Sequence, residues 1–216
     1  TGLVNFDNKK PTNVEQLKVD FATIDEVKLS WKNNNQEQVK YKVIMTSSKN
    51  NLAETTHITK ETNITISGDF EAFTALTFTV VALDQADNES AKTVISTKVY
   101  PIKISNTTIL TSTLSGSYRG ANVLSKENSP YIIASNTTFT EDSTLIIEPD
   151  VKVKFKKRAN IAVQGSAYFW GKTKKSPTNI IFESESTLSL AKKLLTLDSS
   201  KTIEINGLQL KNSGVG

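Results

Sequence analysis

Leu145-Ile146-Ile147-Glu148-Pro149-Asp150-Val151-Lys152-Val153-Lys154-Phe155 decides how the second half of this 216-residue chain is read. Two apolar runs flank a Glu-Pro-Asp turn, and in the second run Val151, Val153 and Phe155 hold alternate positions. Successive side chains of a strand point to opposite faces, so these three are expected inside and Lys152 and Lys154 outside. Similar pieces recur at Ser129–Ile133, Ile161–Val163, Pro177-Thr178-Asn179-Ile180-Ile181-Phe182 and Ile203–Ile205, with tight polar turns between them. Such recurrence marks a stacked repeat. Self-alignment puts Ile161 and Val163 sixteen residues after Leu145 and Ile147, then Ile180 and Phe182 nineteen later, then Ile203 and Ile205 in the next layer. Each step is expected to be one coil of a solenoid with strands paired in parallel.

Upstream the pattern changes. Between residues 11 and 100, seven short alternating runs are separated by turn residues: Val14–Val19, Glu26–Trp31, Val39–Met45, His57–Lys60, Asn63–Ile66, Leu76–Leu83 and Thr93–Tyr100. Seven strands in about 90 residues is the arithmetic of a β-sandwich. Val27, Leu29 and Trp31 fall on one buried face, as do Tyr41 and Val43 in the next strand. No apolar recurrence at helical spacing lasts three turns, so the fold class is all-β. The expected organisation is an N-terminal tail (1–10), a sandwich (11–100), a linker and cap (101–128) and solenoid rungs (129–216).

Particular residues carry two resemblances. Pro11-Thr12-Asn13-Val14, Ser30-Trp31, Tyr41-Lys42-Val43, and Phe78 to Asp84 running into Asp87-Asn88-Glu89-Ser90 make residues 11–100 resemble the fibronectin type III family. Leu76 stands where that family has its corner tyrosine, and Asp87 where bacterial members carry glycine, at a place that needs a left-handed backbone. The resemblance implies a spacer or binding module. The second half resembles the start of the right-handed parallel β-helices of bacterial surface proteins, with Asp150 where that family has glycine. This implies an extracellular or cell-surface location. Leu208–Gly216 reads as the middle of a further rung, so the natural chain is expected to continue or its end to be covered.

Composition narrows the chemistry. There is no cysteine, which removes disulfides, thiolate metal sites and cysteine nucleophiles. No apolar run reaches the roughly 20 residues of a membrane span, so no membrane insertion is expected. The net charge of +4 is small and no nucleic-acid module is present, so no nucleic-acid partner is expected. His57 is the single histidine, read as an exposed strand residue, and supports neither a triad nor a metal site. A parallel β-helix enzyme acting on polysaccharides needs paired carboxylates or a cationic base. The solenoid's acids, among them Glu148, Asp150, Glu183 and Glu185, read as solvated turn and strand-end residues. No catalytic residue, cofactor or metal is assigned.

The candidate ligand site is an outward patch. The sixteen-residue step places Ala167 and Phe169 under Val151 and Val153, which stacks Tyr168 beneath Lys152 and Trp170 beneath Lys154. Lys156, Lys157, Arg158, Lys172, Lys174 and Lys175 lie along its margins. Aromatics interleaved with ammonium groups stack on sugar rings and attract carboxylate or phosphate. A one-residue change of register turns both aromatics inward as core.

The expected function is therefore a non-enzymatic structural or adhesive surface protein, with the sandwich as spacer and the solenoid as a presentation surface. Its partners would be an anionic glycan, an envelope polymer or a protein. Two alternatives stand: the non-catalytic N-terminal part of a larger polysaccharide-degrading enzyme, and an end-to-end self-assembling protein.

Overall fold

The computed structural model describes residues 9–48, 53–171, 179–185, 194–198 and 201–211. It divides into two compact units, Thr1–Ser105 and Asn106–Gly216.

The first unit is a seven-stranded sandwich. β1 (Glu15–Ala22), β2 (Glu26–Lys32) and β5 (Asn63–Ser67) form one antiparallel sheet in the order β1-β2-β5. β3 (Lys40–Ser47), β4 (Thr55–Thr59), β6 (Ala75–Leu83) and β7 (Thr93–Lys98) form the other, ordered β4-β3-β6-β7. Strict alternation builds the core: Val27, Leu29 and Trp31 of β2 are buried, as are Tyr41, Val43 and Met45 of β3 and Leu76, Phe78 and Val80 of β6. Trp31 and Tyr41 join the two sheets edge to face, with ring centroids 5.1 Å apart. Leu76, at the expected corner-tyrosine position, is core.

The turn after β6 is organised by one carboxylate. Asp84 Oδ1 accepts hydrogen bonds from the backbone N–H of Ala86 and Asn88, and Oδ2 accepts one from the Asn88 side-chain amide. Asp87 takes the left-handed conformation its place requires, with φ of +61°. These bonds, the Asn88 side-chain one foremost, hold the Asp84 carboxyl below its usual range.

The second unit is a three-sided solenoid of parallel strands. Its long strand β10 (Tyr131–Ile147) follows β8 (Thr108–Ile109), β9 (Thr113–Leu124) and a 3-10 turn, and runs along all three faces. On the first face Tyr131 and Ile133 pair with Val153 and Phe155 of β11 (Lys152–Phe155). On the second, Thr137 and Phe139 pair with Ile161 and Val163 of β12 (Ile161–Val163). On the third, Leu145 and Ile147 pair with Ala167 and Phe169 of β13 (Ser166–Trp170). The coil below carries β14 (Ile180–Ser184), β15 (Leu195–Leu197) and β16 (Ile203–Asn206) on the same faces, and β17 (Leu208–Lys211) begins the next. Inward residues stack into one core, with Phe155 and Phe182 5.3 Å apart and Tyr118 stacked on Phe139 at 5.2 Å.

Two expectations change. The sixteen- and nineteen-residue steps do not follow one face: Ile161 and Val163 lie on the second and Ile180 and Phe182 on the first, whereas Leu145, Ile147, Ile203 and Ile205 share the third. The step between pairing residues is 22 on the first and third faces, from Tyr131 to Val153 and from Leu145 to Ala167. The segment expected as linker and cap carries the first coil, because β9 pairs in parallel along the whole of β10. Its weak alternation reflects a coil with solvent on one side: Ser115, Gly116, Ser117, Arg119 and Gly120 are exposed. Asp150, which replaces the glycine of the resembled family, adopts φ of +65°. The expected reading of Asn212–Gly216 lies outside the described residues.

The glycine between β12 and β13 is fixed by crowding. A Cβ on Gly165 would lie 2.0 Å from the Ser143 carbonyl oxygen in the coil above.

Two outcomes are expected. Phe155→Ala removes a fully buried ring and should cost about 3–5 kcal/mol in urea unfolding of the solenoid; Trp170 fluorescence reports it in a Trp31→Phe background, and a loss below about 1 kcal/mol would contradict the stacked core. Because the folded-state pKa of Asp84 is depressed, its stabilisation is complete above the unfolded-state value and disappears as pH falls through the folded value. Asp84→Asn should therefore destabilise the sandwich at neutral pH and flatten the acid limb of its stability curve; an unchanged limb would refute the assignment.

Candidate functional site

The four residues of the expected patch lie on two faces of one coil. Lys152 and Lys154 project outward from β11 on the first face, where Val151, Val153 and Phe155 are fully buried, so the alternation holds. Tyr168 and Trp170 project from β13 on the third face, opposite in direction to the core residue Phe169. A 22-residue coil with three sides puts β13 beneath the end of β10 and not beneath β11. The stacking of Tyr168 under Lys152 and of Trp170 under Lys154 is accordingly not formed. The signal for the true register was present: Tyr131-Ile132-Ile133 matches Val153-Lys154-Phe155, and Leu145-Ile146-Ile147 matches Ala167-Tyr168-Phe169, at one common spacing.

On the first face the basic residues meet acids from the neighbouring coil. Lys152 Nζ lies 3.1 Å from Glu183 Oε2, and Lys156 Nζ lies 2.8 Å from Glu185 Oε1. Parallel register puts Glu183 beside Lys154 above and Lys211 below. Lys152 chiefly, with Lys154 and Lys211 adding to it, holds the Glu183 carboxyl below the usual glutamate range. Lys126 in the 3-10 turn and Asp150 in the turn before β11 form a further pair between coils at 2.6 Å, at the corner that leads into this face. The face is a ladder of alternating charge running from coil to coil.

On the third face Tyr168 sits between Ile146 above and Glu204 below. Its ring centroid is 5.4 Å from that of Trp170. Trp170 is only 4% exposed, and its indole N–H donates to Glu204 Oε1 at 2.9 Å. An aromatic expected to be open to ligand is thus closed over by its own coil and the next. Lys157 and Arg158 occupy the turn after β11, whereas Lys172, Lys174 and Lys175 lie outside the described residues.

Other expectations are revised locally. Glu148 is not a solvated turn residue: it is 2% exposed, and its carboxylate accepts the Lys126 backbone N–H at 3.1 Å. Burial pushes up the nearby Tyr131 hydroxyl, which accepts from the Ser125 N–H and donates to the Leu110 carbonyl. His57 is half-buried, with Nε2 3.1 Å from Thr55 Oγ1. Sequence reasoning also missed Asn122, whose buried side-chain amide donates to the Arg119 and Gly120 carbonyls and closes the first coil's corner. Among the described residues, no group of three or more His, Asp or Glu is placed to hold a metal ion.

These geometries define the class of protein: all-β, with a fibronectin type III-like sandwich and a parallel β-helix segment. No protein-family model matches the sequence, and no curated protein matches it. Solved structures similar to it include one described as a myokine structure, at 14% identity and a TM-score of 0.37, covering 42% of this chain and 99% of that one. The fn3 domain of human collagen alpha-1(XX) chain is similar at 16% identity and a TM-score of 0.37, over 46% of this chain and 92% of that one. The fibronectin type-III domain of human fibronectin type III domain containing protein 3 gives 16% and 0.37, over 47% and 94%. Strand order and register, not these likenesses, carry the description of the fold.

The ladder makes a measurable claim. Lys152→Glu should lower solenoid stability at neutral pH, and adding Glu183→Lys should restore most of the loss. Since the folded-state pKa of Glu183 is depressed, the coupling is complete above the unfolded-state value and lost as pH falls through the folded one; added salt should also shrink it. A double-mutant cycle in urea reads the coupling, and additive effects of the two substitutions would show that the pair does no work.

Proposed function

We propose that this chain is a non-catalytic structural segment of a secreted or cell-surface protein, with the sandwich as spacer and the solenoid as a stiff face that presents itself to an anionic glycan, an envelope polymer or a protein partner. The observation that supports it is the charge ladder along the first face and its corner. Lys152 with Glu183, Lys156 with Glu185 and Lys126 with Asp150 each join one coil to another, so these side chains brace the stack. Residues that act on a bound substrate converge instead on its reacting atoms. Lys154 stands beside Glu183 while remaining half-exposed, and is the ammonium on this face best placed to meet an anionic polymer. Resemblance to bacterial β-helix surface proteins agrees with this location and role.

The test is an array of neutral, uronate-bearing and phosphate-bearing polymers probed with the full chain and with Lys152→Ala/Lys154→Ala, alongside assays for new reducing ends and unsaturated products. Retention on an anionic polymer, weakened about tenfold in the double variant and without product, is the expected result. Product from any polymer would overturn the non-catalytic reading, and retention unaffected by the double substitution would remove the first face as the presenting surface.

A further inference from the structure

One end of the sandwich holds a cavity of about 200 Å³ where β3 begins and β4 and β6 end. Lys40 and Lys60 line it. Tyr41 opposite Thr59 is the last pair of the β3–β4 ladder, so the two lysines sit side by side at the same end of adjacent strands. Among the described residues neither has an ion-pair partner. Both side chains are exposed, so solvent screens their mutual repulsion while the pair offers two ammonium groups to an anion. The cavity's one acid, Asp84, is engaged elsewhere: its carboxylate oxygens accept from Ala86 and Asn88, and no lysine contributes to its lowered pKa. Buried Val39 and Leu83 give the cavity an apolar wall, while exposed Gln38 and Gln85 bring side-chain amides to it.

We propose that this cavity binds a single acidic sugar residue of the hexuronate class. Its carboxylate lies between the Lys40 and Lys60 ammonium groups, its hydroxyls bond the Gln38 and Gln85 amides, and one C–H face of the ring rests on Leu83 and Val39. A bound carboxylate makes charge-assisted contacts with both ammonium groups. A neutral hexose offers the hydroxyls and the C–H face without that gain. The site goes beyond a spacer role for the sandwich and is independent of the charged face of the solenoid.

Titration of the ¹⁵N-labelled full chain with D-glucuronate, D-glucose, acetate and phosphate tests this by NMR. Glucuronate should shift the backbone amides of Lys40, Lys60 and Gln85 saturably, and glucose should leave them unmoved. Acetate and phosphate should bind at least tenfold more weakly, since they lack the ring. Lys40→Gln/Lys60→Gln should weaken glucuronate at least tenfold while melting no lower than the wild type, because the substitution removes no core contact. Absence of saturable glucuronate shifts at these amides, equal binding of glucose, equal binding of acetate or phosphate, or undiminished affinity in the double variant would each overturn the proposal. Lys152→Ala/Lys154→Ala should bind glucuronate as the wild type does, which separates failure of this site from failure of the solenoid face.

Discussion

Parallel main-chain pairing between coils is the constraint on which the second unit depends. An unpaired strand backbone out of water costs too much to leave, so each stretch of β10 is held by the coil above and by the coil below. Once that register is set, it dictates which side chains share a column. The stacking of Phe155 beside Phe182, the meeting of Lys152 with Glu183 and the closing of Glu204 over the Trp170 indole all follow from it. The sandwich rests on a different constraint, the alternation that sends Trp31 and Tyr41 from opposite sheets into one contact.

The reading of strands from sequence succeeded wherever alternation alone decides the answer. All seven sandwich strands appear near their expected places, and Val151, Val153 and Phe155 are inside. Alternation is local and needs only the period of two. Column membership is not local, because it depends on how many residues the chain uses to go round once. Ile161-Ala162-Val163 and Leu145-Ile146-Ile147 have the same apolar signature but lie on different faces, and nothing within either tripeptide says so.

The candidate patch illustrates the same division. Tyr168 and Trp170 were legible as residues facing away from the core, since they alternate with Phe169. Their neighbours were not, and neighbours decide whether an outward aromatic meets solvent, a lysine or, as with Trp170, a glutamate of the next coil. Glu148 failed for a related reason: a carboxylate beside proline at a turn reads as solvated until the first coil lays the Lys126 N–H against it.

The crowded corner at Gly165 bears on how such a protein can change over generations. Backbone from the coil above leaves no room there for a side chain. Elsewhere the circuit is not of constant length: Leu145 to Ala167 is 22 residues, but Ala167 to Ile203 is 36 with the third-face register retained. Of the 14 added residues, 12 fall between Ala167 and Leu195 and two between Leu195 and Ile203, at the counterpart of the Gly165 bend. The stretch from Ala167 to Leu195 is where a lineage has added most residues while the rungs kept their register, and where a foreign peptide is best grafted for display.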